Sequence, residues 1–207
     1  MPTRLHVSAL LGFVALVWAA GLLLAGVALP DGFLGPFNLV TGAVVLALAA
    51  FEHWLWRVPA LQGWFVKRPN LNGTWRVQFQ SDWLDPTTGQ GIPPKRAYMT
   101  VRQTFSTLSM RLMTDESVSS LVAEGVILTP EGTFKVFAVY RNESKIAVRD
   151  RSPIHYGSFV LDVQVAPIEQ LEGFYWTDRK TRGDMTLTDR RADDCGSYES
   201  AKLLFRD

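Results

Sequence analysis

The 207-residue chain carries 21 Lys and Arg against 20 Asp and Glu, so it has no bias toward polyanions, and nucleic-acid binding by a basic face is not indicated. Its single cysteine, Cys195, excludes an intramolecular disulfide and a zinc cluster of thiolates, and fits a reducing compartment.

Residues 7–29 and 33–51 form two apolar runs without a charge, separated by Pro30, Asp31 and Gly32. As helices they would be about 34 Å and about 28 Å long, against a bilayer core of about 30 Å. The first is too long for the apolar stretch of a signal peptide. Both are apolar on every face, unlike a helix on the surface of a soluble domain. Residues 1–56 are therefore expected to be a two-span transmembrane hairpin. Arg4 precedes the first span, Arg57, Lys67 and Arg68 follow the second, and the tip holds only Asp31. This bias places both termini and the following domain in the cytoplasm. Trp54, Trp56 and Trp64 stand where an interfacial aromatic belt would lie.

Residues 57–70 read as a connector, and beyond it the apolar period changes to two. Gly73, Trp75, Val77 and Phe79 share one face of the first strand, 71–80. Further strands are expected at 96–105, 108–114, 117–128, 133–141, 155–166, 171–179 and 184–190, joined by short polar turns. Helical character is confined to 198–205. The expected fold is two transmembrane α-helices followed by an all-β, eight-stranded antiparallel up-and-down barrel over 71–207, with a two-sheet sandwich as the alternative. Leu71-Asn72-Gly73 and Leu171-Glu172-Gly173 both open strands with Leu-x-Gly, and the glycines suit a bend or a close backbone approach.

No Gly-x-Ser-x-Gly elbow, phosphate loop or dinucleotide fingerprint occurs, and no His, Cys and Asp cluster has metal-ligand spacing. The chain does not read as an enzyme. Polar residues that share the parity of the apolar ones gather toward strand ends, as if lining one mouth: Gln103, Ser117, Ser119, His155 and Thr177. Trp75, Tyr140 and Tyr175 are candidate stacking platforms. Gln103, Ser119 and Thr177 are candidate hydrogen-bonding groups. Arg179 and Arg182 are candidate phosphate contacts. On pattern alone the same residues read more readily as solvated strand ends than as a pocket, and Trp75 more readily as core than as a ligand contact. An apolar cavity would instead read as a lipocalin-like carrier, and a filled barrel as a structural module.

Taken in order, the apolar hairpin, Leu71-Asn72-Gly73-Thr74-Trp75, Val101-Arg102-Gln103-Thr104, Ser117-Val118-Ser119-Ser120, Val139-Tyr140-Arg141-Asn142, His155-Tyr156-Gly157 and the run from Leu171 to Arg179 form a recognisable set. The chain resembles the membrane-anchored β-barrel effectors of CBASS, the bacterial anti-phage signalling systems. The resemblance implies a cytoplasmic barrel that binds a cyclic dinucleotide made by a partner nucleotidyltransferase, with no cofactor and no catalysis. It further implies homo-oligomerisation on ligand binding, disruption of the inner membrane lipid bilayer and death of the infected cell. The family pattern has a second tyrosine where this chain has Ala138, which alters one expected base-stacking contact.

Overall fold

The computed structural model describes residues 4–25, 37–84, 88–91, 93–163 and 168–206. The chain divides into two compact units, Met1–Lys67 and Arg68–Asp207.

In the first unit the apolar runs form helices α1 (Arg4–Ala25) and α2 (Phe37–His53), followed by short 3-10 turns at Leu55–Arg57 and Pro59–Leu61. The expected turn at Pro30, Asp31 and Gly32 lies outside the described residues. Leu11, Leu16, Leu23, Leu24, Val45 and Leu46 are exposed on the two helices. Among the described residues no helix is long and apolar enough to cross a membrane. The 17 residues of α2 amount to about 25 Å of helix. Trp54 and Trp64 are exposed, whereas Trp56 is fully buried, so two of the three expected belt indoles face outward.

The second unit is an antiparallel closed barrel of β1 (Gly73–Ser81), β2 (Lys95–Gln103), β3 (Leu108–Met113), β4 (Ser117–Leu128), β5 (Phe134–Ser144), β6 (His155–Val163), β7 (Leu171–Thr177) and β8 (Arg182–Arg191). Each strand pairs with the next, and β1 pairs with β8 through Val77 opposite Leu187 and Phe79 opposite Met185. This ring replaces the sandwich alternative. Several strands end earlier than the alternation does: β2 stops at Gln103 and β7 at Thr177, where tight turns begin. Gly73 takes a φ of +121°, and a Cβ there would lie 2.2 Å from the Arg191 carbonyl oxygen. That close approach brings the start of β1 against the end of β8.

Inward residues fill much of the ring: Trp75, Val77, Met99, Val101, Val136, Ala138, Phe159, Leu161, Leu171, Met185 and Leu187 are all buried. At β2 the alternation fails, because Ala97 through Val101 are buried on both faces. The outer face of β2 is covered by helix α3 (Tyr198–Phe205), which packs Ala201 and Phe205 with Cys195 against Tyr98 and Met113. Tyr98 stacks on Phe205 at 5.3 Å. Ser197 caps the helix, accepting from the Ser200 N–H while the Ser200 hydroxyl accepts from the Ser197 N–H. The segment before α3 is tied down as well. Thr74 Oγ1 donates to the Asp193 carbonyl at 2.7 Å, Thr100 Oγ1 donates to the Cys195 carbonyl at 2.7 Å, and Arg102 Nε meets Asp194 at 2.5 Å.

Candidate functional site

The two ends of the barrel differ. At the end formed by the start of β1 and the finish of β2, side chains close the ring. Trp75 is fully buried, and its Nε1 donates to the Leu71 carbonyl at 2.9 Å. The Arg190 guanidinium lies 5.5 Å from its ring centroid. Gln103 Oε1 accepts from the Leu71 N–H at 3.0 Å, while Gln103 Nε2 donates to the Pro69 carbonyl at 3.0 Å. Asn72 completes the latch, its Oδ1 accepting from the Gln103 N–H at 2.7 Å. Trp75 and Gln103 are therefore structural groups of the sealed end, not lining of the mouth. Their parity placed them inside the barrel, and parity alone does not tell one end from the other.

At the opposite end the ring opens into a cavity of about 460 Å³. Its wall brings together Ser119, Tyr140, Tyr175, Thr177 and Arg179 with Phe79, Leu112, Ser117 and Asn142. Lys95, Arg151, Ser152 and His155 stand at its rim. The volume is that of a small-molecule site, and polar side chains from several strands converge on it.

Two phenols frame the wall. Tyr140, on β5, stacks on Phe159 at 6.1 Å and crosses Gly157 of β6. A Cβ on Gly157 would lie 2.3 Å from the Tyr140 hydroxyl oxygen, so the glycine makes room for that ring. Burial, aided by Tyr175 and Asp178, pushes the Tyr140 phenol far above its ordinary range and keeps it a neutral hydroxyl. Tyr175, on β7, meets Phe79 edge to face at 5.4 Å. Burial raises its phenol too, against an opposing hydrogen bond with Ser81.

Between them runs a polar layer. Asn142 Nδ2 donates to Ser119 Oγ at 2.8 Å and to Ser117 Oγ at 3.0 Å. Ser144 Oγ donates to Asn142 Oδ1 at 3.3 Å and lies 3.2 Å from Ser152 Oγ. Thr177 Oγ1 bonds Thr181 Oγ1 at 2.7 Å in the β7–β8 turn. His155 Nδ1 bonds the Pro153 carbonyl at 2.9 Å, within its own turn.

The charges at the rim are unequal in availability. Glu116 binds Lys95 at 3.0 Å and also binds Arg151. Those cations hold the Glu116 carboxyl below its ordinary range, Lys95 first, against the contrary effect of burial. Arg179 Nη1 donates to Ser152 Oγ at 3.1 Å, and among the described residues no carboxylate pairs with it. Arg182 stands elsewhere: it binds Asp82 at 2.5 Å beside Phe174 and Trp176, in a groove on the outer side. The expected fork of Arg179 and Arg182 is thus not formed, because the two residues flank a turn and leave it on different sides.

Asn142, Lys95 and Arg151 were not legible as candidates. Asn142 shares the inward parity of Tyr140 and Ala138, a signal that finds it on inspection. Lys95 and Arg151 lie beside turns and become neighbours only through Glu116. Among the described residues no group of His, Cys, Asp and Glu could hold a metal ion.

The family model described as Cap15, cyclic dinucleotide receptor domain, matches residues 66–189. This chain belongs to that family. The match begins just before the sealed end of the barrel and runs into β8, so it takes in the whole mouth. The chain is also similar to the CD-NTase-associated protein 15 of Staphylococcus schleiferi, at 24% identity over 137 residues, covering 66% of this chain and 69% of that one. A solved redesigned beta barrel is matched at 13% identity with a TM-score of 0.26, over 58% of this chain and 92% of that one.

Proposed function

We propose that the chain is a CBASS effector whose mouth cavity binds a cyclic dinucleotide. The observation that carries this reading is one lining that joins Tyr140 and Tyr175, the Asn142–Ser119 layer and Arg179. A cyclic dinucleotide has two bases, two riboses and two phosphates. Rings suit the bases, hydroxyls and an amide suit the riboses, and an unpaired guanidinium suits a phosphate. Membership of a cyclic dinucleotide receptor family supports the ligand class. A carrier of apolar metabolites would have no use for the Asn142–Ser117–Ser119 layer. A structural module would have no use for an open mouth.

The action is assigned to the first unit. α1 and α2 present exposed leucines that water solvates poorly, and the apolar runs extend past the helices into the flanking sequence. In this reading residues 1–56 lie in the inner membrane, the ligand comes from a partner nucleotidyltransferase, and ligand binding drives homo-oligomerisation that disrupts the bilayer. The barrel catalyses nothing. The test is calorimetric titration of the full-length protein in detergent with cyclic di-AMP, cyclic di-GMP, cyclic GMP-AMP and cyclic di-UMP. Saturable binding of at least one member is expected, and no binding by any member would refute the ligand assignment. Release of dye from vesicles on adding the bound member tests the membrane step.

A further inference from the structure

Strand β4 is twelve residues long, whereas its neighbour β3 has six. Their pairing covers only Arg111 with Ser120, Leu112 with Ser119 and Met113 with Val118. From Val122 to Leu128, β4 pairs with β5 alone, and among the described residues no other backbone hydrogen bond reaches this stretch. The ring therefore has one long seam where β4 turns an open edge outward. Every second residue along it points an N–H and a C=O away from β5, and those groups are satisfied in direction and spacing by another strand.

The edge is thinly protected, by one bulge at its start and one charge, Glu124. Residues 122–128 contain no Lys and no Pro, and Val122, Ile127 and Leu128 are exposed hydrophobics, at 61%, 47% and 45%. The register shift between Leu121 and Ala123 lies at its beginning, so the remainder runs regularly against β5. Phe137, opposite Gly125, lays its ring over that glycine, where a Cβ would meet the ring at 2.1 Å. This keeps the outer side of the edge apolar without a side chain in the way.

We propose that a second copy of this chain pairs antiparallel with the β4 edge, about a two-fold axis at Gly125. The choice of a second copy follows from self-complementarity. With Gly125 opposite its own mate, Ala123 faces Ile127 and Val122 faces Leu128 of the other copy. The single charge of the stretch, Glu124, faces Val126. A register centred on Glu124 would set two carboxylates opposite each other, which disfavours it. The result is an isologous contact that closes on itself. The inference rests on the self-association in the proposed function and supplies its surface.

The test is disulfide trapping in the full chain. In the proposed register the double variant A123C and I127C brings each new cysteine opposite its partner in the other copy. Either single variant leaves like cysteines four residues apart along the strand, about 13 Å, beyond disulfide reach. Mild oxidation should trap a covalent dimer in the double variant and leave both single variants and the parent chain uncrosslinked on a non-reducing denaturing gel. A dimer in the single variants to the same extent, or none in the double variant, overturns the inference. I127K, which protects the edge with a charge, should abolish self-association seen by light scattering while cyclic dinucleotides still bind saturably in calorimetry, with affinity lowered only by the lost coupling to association. Self-association that survives I127K also overturns it. Trapping without binding of any cyclic dinucleotide upholds the interface and refutes the ligand reading. Binding without trapping does the reverse.

Discussion

Gly157 and Tyr140 are a cross-strand pair in which one residue's lack of a side chain is the other's place: the Tyr140 hydroxyl would sit 2.3 Å from a Cβ on Gly157. The phenol can lean across β6 only because position 157 is bare. Gly157→Ala should therefore displace the ring or strain the strand, costing about 1–3 kcal/mol of stability. Urea unfolding of the variant against the parent checks it. A loss below about 0.5 kcal/mol, within the range of ordinary surface changes, would show that the ring moves freely.

Arg179 and Arg182 should separate cleanly in binding. Arg179 faces the mouth and donates to Ser152 Oγ, whereas Arg182 is engaged by Asp82 on the outer side. A hydrogen bond to a charged group contributes about 1.5–3 kcal/mol, so Arg179→Ala should weaken cyclic dinucleotide binding roughly 10- to 100-fold. Arg182→Ala should change it less than about threefold. Calorimetric titration of the two variants side by side decides, and equal losses would place the phosphate contact elsewhere.

Gln103 belongs to stability, not recognition. Replacing it with Leu strands the Leu71 N–H and the Pro69 carbonyl in a buried setting, at a cost of about 1–3 kcal/mol. The expected outcome is a lower melting temperature with unchanged ligand affinity extrapolated to a temperature at which both proteins are folded. Weaker affinity with unchanged melting would return Gln103 to the site.

Glu116 makes the mouth sensitive to acid. Its carboxyl is held below the ordinary value of 4.5 in the folded protein. The stabilisation is therefore complete above that value, and it disappears as pH falls through the lower folded value. Denaturation of Glu116→Gln should show a shallower loss of stability than the parent in that acidic window. At neutral pH the same substitution releases Arg151 and leaves Lys95 with Asp115 as its one remaining carboxylate among the described residues, at 3.4 Å, so binding of an anionic cyclic dinucleotide should tighten. Acid titration by circular dichroism and calorimetry at neutral pH measure the two effects. A parallel acid profile would remove Glu116 from the account.

The barrel was legible because alternation is local: eight runs of period two, separated by Pro, Gly and Thr turns, name eight strands with few rivals. Ring closure was legible from the short turns, since a meander with no long crossover has few ways to hide its edges. Boundaries drifted where a strand runs on into a turn, as at Arg179. The β2 pattern was not legible, because burial of Tyr98 and Thr100 depends on α3, which comes back from about a hundred residues downstream (Thr100 Oγ1 reaches the Cys195 carbonyl). At the site, side-chain parity found Ser119, Tyr140, Tyr175 and Thr177 but gave no sense of depth along the barrel. Trp75 and Gln103 thus joined the wrong end. The cluster around Glu116 joins residues from three separate turns, and no one-dimensional pattern holds it.

The pairing of β1 with β8 also sets an order of events during synthesis. The apolar helices leave the ribosome before the barrel, and the mouth takes Phe79 from the first strand but Tyr175 and Thr177 from the seventh. Most contacts within the ring are between neighbours, yet the closing contact joins the earliest strand to the latest, the kind of long-range closure that folds slowly. A nascent chain therefore has no complete cavity and no receptor. It stays silent to any messenger already present until its final strand arrives.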